Sequence, residues 1–262
     1  MPDCGLEGDR PSVARVYDFL LGGAYNFGAD RDWASHAIGV LPGLRRTAEA
    51  NRAFRDRAVR YCQHAGVRQF LDIGCGLPTA GGLYQTAQRA DPSTRVAYVD
   101  HDPLVANLLS ATLAGNDRAC AIEQDLRRPE ALLAGVQATQ VLDLDQPVTV
   151  LLAAVLHYLG AADDPARTVR RLLAPLAAGS HLVISHATNT PTTAWQPVNR
   201  LCAQPTATLT PRSRDQVGQL FGGWHLLDPG LVWLPHWHPD PAGDTGQDAS
   251  WSAALAGVAR KP

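Results

Sequence analysis

Four side chains that can move protons or bind sugar hydroxyls stand where apolar runs stop: Asp72, Asp100, Asp125 and His157. Asp72 opens the stretch Asp72-Ile73-Gly74-Cys75-Gly76-Leu77-Pro78-Thr79, after an apolar run carried by Val67, Phe70 and Leu71. Gly74 and Gly76 remove side chains where a backbone must turn sharply and approach a ligand closely. Asp100 lies 24 positions after Gly76, at the end of Val96-Ala97-Tyr98-Val99. A carboxylate there accepts both hydroxyls of a ribose and repels a 2′-phosphate. Asp125 closes Ala121-Ile122-Glu123-Gln124. It can take the exocyclic amine of an adenine while the Leu126 amide meets a ring nitrogen. His157 follows Val150-Leu151-Leu152-Ala153-Ala154-Val155-Leu156, and a neutral imidazole there can take a proton from an attacking nucleophile. Plainer readings stand beside these. The glycines can be an ordinary strand-to-helix turn, the acids helix caps, and His157 a buried structural histidine. Asp102-Pro103 looks like such a cap, with proline at the first helical position.

The glycine pattern discriminates between nucleotides. A dinucleotide fingerprint reads G-x-G-x-x-G, and here Thr79 takes the third glycine position. An acid just before the glycines, Asp72, is more typical of S-adenosylmethionine (SAM) methyltransferases. Those usually read G-x-G-x-G, from which Pro78 departs. The expected cofactor is therefore SAM rather than NAD or NADP. The expected binding set around this turn is Asp72, Gly74, Gly76, Pro78, Thr79, Asp100, His101, Asp125, Leu126 and Ala154.

These residues need a frame. From Arg68 onward strands and helices alternate, with strands predicted at 68–73, 95–100, 118–124, 147–153 and 179–185. Helices are predicted between them at about 78–90, 103–114, 128–136 and 163–175. That is the pattern of a parallel sheet buried on both faces. Before it, residues 1–10 read as a disordered lead. Ser12 caps a predicted helix over Val13–Leu21, Asp30 caps a second one ending near Val40, and a third runs from about Leu44 to His64. The third is rich in arginine on its predicted outer face and stops at Gly66. After the fifth strand come predicted helices near 190–202 and 211–220. Strands at 224–235 and 251–259 are then read as an antiparallel pair at one sheet edge, joined by a Pro-, Gly- and Asp-rich surface loop.

Composition sets the outer bounds. A chain of 262 residues, 45% hydrophobic and 18% charged, is long enough to bury a large core. The net charge of −2 with no basic block disfavours nucleic acid as a partner. The five cysteines are scattered without a C-x-x-C pair, which suggests neither a disulfide framework nor zinc. His236 and His238 flank Trp237 without a third ligand and read as loop, not metal. No apolar run reaches membrane-spanning length and no signal-peptide core is seen, so no membrane partner is expected and a reducing cytoplasm is the expected location. The oligomeric state stays open, a homodimer included.

Three motifs together resemble a known family: the glycine turn from Asp72 to Thr79, Tyr98-Val99-Asp100-His101-Asp102-Pro103, and Val155-Leu156-His157-Tyr158. They look like the actinobacterial SAM-dependent methyltransferases formerly called DUF574. The stretch from Pro11 to Arg31 is similar to that family's N-terminal signature, and Gly257-Val258-Ala259-Arg260-Lys261-Pro262 to its ending. The resemblance implies an α/β class: a Rossmann-like methyltransferase sheet of seven mostly parallel strands, the last antiparallel. It also implies a helical cap over residues 1–65 ahead of a SAM-binding domain over 66–262. It implies SAM over Gly74–Gly76, with Asp100 on the ribose and Asp125 near the adenine. It implies no particular acceptor.

The N-terminal signature has a physical reading of its own. Tyr17, Gly22, Gly23, Asn26 and Arg31 cluster around one loop. Arg31 can pair with the α-carboxylate of SAM, Asn26 can hydrogen-bond either end of its amino-acid tail, and the two glycines let the backbone come close. For Tyr17 a packing role is the alternative. The expected reaction is in-line methyl transfer to O, N or C of a small molecule, with His157 or Tyr158 as base. His186 is a weaker version of the same case. Ala24-Tyr25 stand where the family commonly carries a charged pair. Tyr25 therefore keeps open a second reaction, in which SAM is cyclised with release of methylthioadenosine. A non-catalytic SAM-binding protein is the third reading.

Overall fold

The computed structural model describes residues 8, 10–78, 82–189, 195–196, 198, 208–241 and 248–262. Thr79, most of the lead at 1–10 and of the link after His238, and most of the predicted helix near 190–202 lie outside the described residues.

Three helices come first: α1 (Val13–Leu20), α2 (Gly28–Val40) and α3 (Leu44–His64). Ser12 sits at the start of α1, yet its hydroxyl does not cap the helix. It donates to Asp102 at 3.4 Å, tying α1 to the sheet. Asp30 is not the cap of α2 either. It lies in the first turn, fully buried, where it accepts from the Phe27 amide at 2.8 Å and pairs with Arg15 at 2.8 Å. The arginines of α3 correct the reading of an outer face. Arg55 and Arg57 are buried, and Arg57 donates to the carbonyls of Trp237 and Leu234. Its charge is thus carried on backbone oxygens rather than in water. Gly66, in the left-handed region, closes α3 as predicted.

The alternating part holds the strands β1 (Gln69–Ile73), β2 (Arg95–Asp100), β3 (Ala119–Glu123), β4 (Thr149–Ala153) and β5 (His181–Ala187). Between them run α4 (Leu83–Ala90), α5 (Pro103–Thr112), α6 (Pro129–Ala138) and α7 (Pro165–Leu173). Asp102 caps α5 as its sequence indicated, accepting from the Leu104 amide at 2.9 Å ahead of Pro103. The last part contains α8 (Arg214–Gln219), β6 (His225–Leu226), β7 (Val232–Trp233) and β8 (Ala254–Arg260).

All eight strands form one sheet in the order β3-β2-β1-β4-β5-β8-β6, with β7 also on β8. β1 to β5 pair in parallel, and β8 runs antiparallel to β5, β6 and β7. The predicted strand over 224–235 is therefore two short strands. Asp228-Pro229-Gly230 interrupts it, because proline offers no amide to a ladder and Gly230 turns at φ +84°.

Two apolar layers flank the sheet. Leu132, Leu152 and Leu172 belong to one, and Phe54, Phe70, Leu83, Val105 and Leu151 to the other. Burying each such side chain is worth about 1.5–3 kcal/mol. A third cluster joins α1, α2 and α3 through Val16, Leu20, Ala34 and Leu44. Among the described residues no helix is long and apolar enough to cross a membrane. The strand order reverses between β1 and β4. Open α/β sheets form their ligand crevice at such a point, outside the carboxyl ends of the strands.

Candidate functional site

At that crevice lies a cavity of about 780 Å3. Its floor is the ends of β1, β2, β4 and β5, and its roof is α1 and α3. Asp72, Gly74, Gly76, Asp100, His101, Asp125, Leu126, Ala154, His157, Tyr158 and Tyr17 all line it, so eleven of the predicted residues converge.

The glycine turn shows two different needs. Gly74 has φ +66°, and a Cβ there would meet Val155 at 2.4 Å, so it permits close packing of the β1 and β4 loops. Gly76 has φ +68° and nothing within 4 Å of where a Cβ would point. It leaves open space at the cavity, as a ligand-facing glycine does. The Gly76 amide donates to Asp100 at 3.0 Å, and the Asp102 amide donates to the other oxygen at 3.1 Å. Two backbone donors thus fix the carboxylate, and its remaining lone pairs are available to a diol. His101 is drawn up in pKa, mainly by its hydrogen bond to Asp100.

Asp125 is more occupied than its sequence suggested. Arg127 donates to both oxygens, with a shortest distance of 2.7 Å. Burial raises its pKa, but the Arg127 hydrogen bonds outweigh that and hold it low.

Asp72 is buried, and burial pushes its carboxyl up to about 6 against the pull of Arg55 and Arg52. Arg55 is paired with Asp56 at 2.7 Å. Arg52 is different. It lines both this cavity and a smaller pocket of about 240 Å3 beside it, and makes no hydrogen bond or ion pair among the described residues. Burial, then the nearby Arg55, lowers its pKa. An unpartnered guanidinium facing a cavity is a ready carboxylate site.

Arg52, and not Arg31, lines the cavity. Gly22, Gly23, Asn26 and Arg31 do not line the cavity. They build their own loop around buried Asp18, which accepts from the Tyr25 amide at 2.8 Å and the Asn26 side chain at 2.9 Å. A Cβ on Gly23 would lie 1.9 Å from Asp18. Arg31 donates to Asn26 at 2.9 Å and is exposed. Tyr25 is 48% exposed and borders only the smaller pocket, as does Pro78. One signal for Arg52 was present in α3. Thr47, Ala48, Asn51, Arg52 and Arg55 share a helical face, and a polar stripe there marks a face turned to a polar cavity.

Above β4 a chain of hydrogen bonds joins the roof to the floor. Tyr17 donates to the Ala48 carbonyl at 3.2 Å, and Asn51 donates to the Tyr17 hydroxyl at 2.9 Å. Ser185 donates to Asn51 at 2.5 Å, and the Ala154 amide donates to Ser185 at 2.9 Å. Ala154 sits at φ +59°, a strained position for a residue with a Cβ, held by this chain.

His157 is buried beside Tyr158 and His186, at ring distances of 4.6 and 5.5 Å. Its Nδ1 accepts the Ala187 amide at 3.3 Å. An amide can only donate, so the neutral ring carries its proton on Nε2 and keeps no lone pair free. Burial, His186 and Arg212 hold it neutral, well below the ordinary histidine pKa. The geometry therefore corrects the reading of His157 as a base. His186 is fixed as well. Its Nε2 accepts from Arg212 at 2.9 Å, so its Nδ1–H donates to the Ala187 carbonyl at 2.6 Å. Among the described residues no three His, Cys, Asp or Glu side chains cluster to hold a metal.

The comparisons with known proteins give the family. The family model described as S-adenosyl methyltransferase matches residues 3–262. The crystal structure of a candidate methyltransferase from Thermobifida fusca YX is 35% identical, with a TM-score of 0.90, over 99% of this chain and 98% of that one. A DUF574 family protein from Streptomyces avermitilis MA-4680 is also 35% identical, with a TM-score of 0.91, over 97% of this chain and 99% of that one. No curated protein sequence matches the chain.

Proposed function

The chain belongs to the S-adenosyl methyltransferase family, with SAM as its cofactor, and from that premise we propose that it methylates a small molecule held at the roofed, apolar end of the cavity. The observation that carries this is continuity. One cavity of about 780 Å3 runs from Gly76 and Asp100 to His157 and Tyr158. That lies in the upper part of the roughly 300–1,000 Å3 typical of small-molecule sites, enough for a nucleoside and a second ligand side by side.

The residues present fit the cofactor. Asp100 offers lone pairs to the ribose, Gly76 leaves room for close approach, and Arg52 supplies the missing partner for a carboxylate. Asp72, which lines the same cavity, would hold the ammonium group. When bound, SAM supplies a methyl group already activated by a positively charged sulfur. The chain's own work is to align an acceptor with it and keep water out. Orientation of that kind is worth roughly 7–11 kcal/mol, and α1 and α3 form the roof over the cavity.

The test is calorimetric binding of SAM, with Asp100→Ala as control, followed by chromatography of the nucleoside product. SAM should bind, the variant should bind it at least tenfold more weakly, and the product should be S-adenosylhomocysteine. Equal affinity in the variant, or methylthioadenosine as product, overturns the proposal.

A further inference from the structure

We propose that the acceptor is an aromatic oxyanion, its ionised oxygen held by the Nε2–H of His157; this rests on the methyl-transfer reading above. Three observations converge on it. First, His157 can only donate toward a ligand, because Nδ1 is taken by the Ala187 amide and Nε2 makes no hydrogen bond among the described residues. Second, the cation behind it has no counter-charge among the described residues. Arg212 is buried and donates to the Leu156 carbonyl at 2.9 Å, the Leu159 carbonyl at 2.7 Å and His186 at 2.9 Å, all neutral acceptors. Its potential favours an anion at the mouth of the His157–His186 pair, and burial first, with Arg212 adding to it, keeps both rings unprotonated. Third, the walls suit a flat ring. Trp33, Tyr158, Trp195, Leu44 and Leu209 line this end, while every acid that lines the cavity among the described residues belongs to β1, β2 or the turns after β2 and β3.

The chemistry follows from lone-pair counting. No described carboxylate and no free imidazole lone pair stands ready to remove a proton here, so the acceptor must arrive deprotonated. An amine nitrogen has one lone pair, which cannot both accept from His157 and attack carbon. An oxyanion has three: one takes the hydrogen bond and another forms the oxygen–carbon bond. The carbon–sulfur bond breaks with its electron pair passing to sulfur, so an anion and a sulfonium become a neutral ether and a neutral thioether. The titratable and charged groups around His157 are Tyr158, His186 and Arg212, with Tyr17 across the cavity.

The probe is 4-nitrophenol, whose neutral and ionised forms absorb at different wavelengths. It is titrated with pH in the presence of the full-length protein and S-adenosylhomocysteine, whose own binding is measured separately by calorimetry. The bound phenol should ionise about one pH unit below the free phenol, a tenfold preference for the anion. His157→Phe should abolish that preference, and His157→Gln, which keeps an N–H donor, should restore part of it. An unshifted or raised ionisation, no binding of the probe, or full preference in His157→Phe overturns the assignment. Failure of S-adenosylhomocysteine to bind instead overturns the methyl-transfer reading.

Discussion

Arg52→Met keeps the apolar stem of the side chain and deletes its charge. Arg52 makes no hydrogen bond or ion pair among the described residues, so the folded chain loses only its attraction to Tyr17, Asp56 and Asp72, which burial and Arg55 outweigh. It also loses a like-charge neighbour in Arg55. The melting temperature should therefore hold or rise slightly. Cofactor binding should respond quite differently. A charge-assisted hydrogen bond contributes about 1.5–3 kcal/mol, so the affinity for SAM should fall about ten- to a hundredfold. The assay is calorimetry with two ligands, SAM and methylthioadenosine, which has the same nucleoside and no carboxylate. The loss should appear with SAM and vanish with methylthioadenosine. Arg31→Met is the companion variant, expected to leave both affinities unchanged because Arg31 does not reach the cavity. Equal losses for the two ligands, or a loss confined to Arg31→Met, would refute the assignment of the carboxylate to Arg52.

The glycine turn and the buried histidines make further predictions. Gly74→Ala should cost on the order of 1–3 kcal/mol of stability, read by chemical denaturation, because its Cβ would meet Val155 at 2.4 Å. Gly76→Ala meets nothing within 4 Å and carries only the backbone penalty of its positive φ, so its larger effect should be on cofactor affinity. Stability should also fall as pH drops from 6.5 toward 4. Burial first, then Arg212, lowers His186 to about 4, and His157 lies well below its ordinary value. The unfolded chain binds more protons than the folded one in that window, at about 1.4 kcal/mol per pH unit for each histidine. Asp72, raised to about 6, opposes this between 3.8 and 6 with the reverse sign. With His181, also lowered to about 4 by burial, three histidines against one aspartate leave a net loss, and His186→Gln should reduce it in melting curves recorded across this range.

Much of this protein was legible because its signals are local. The alternation of strand and helix, the Asp102-Pro103 cap and the Gly66 stop each depend on residues a few positions apart, and each is found where predicted. The break in the strand over 224–235 was also local, written in Asp228-Pro229-Gly230. The misreadings concern side chains whose partners are distant in the chain. Arginines along α3 look solvent-facing until Trp237 and Leu234 carbonyls arrive from 180 and 177 residues away. The N-terminal signature looked like a ligand loop because its residues are polar, yet Tyr25 and Asn26 serve Asp18 of the preceding helix, and Tyr17 alone of the expected set reaches the cavity.

By itself, then, the order of residue types determined the sheet, its glycine turn and the acids at its strand ends, since those follow from hydrophobic period and backbone sterics. Only the folded chain decided which cation is left without a partner and which histidine nitrogen holds the proton. Both depend on what else has already claimed each group: Arg55 is taken by Asp56 while Arg52 is not, and Ala187, 30 residues away, takes Nδ1 of His157. Asp56 is next to Arg55 in the chain, but no local pattern says that Arg52 meets no such acid or that Ala187 reaches His157, because those depend on proximity in space.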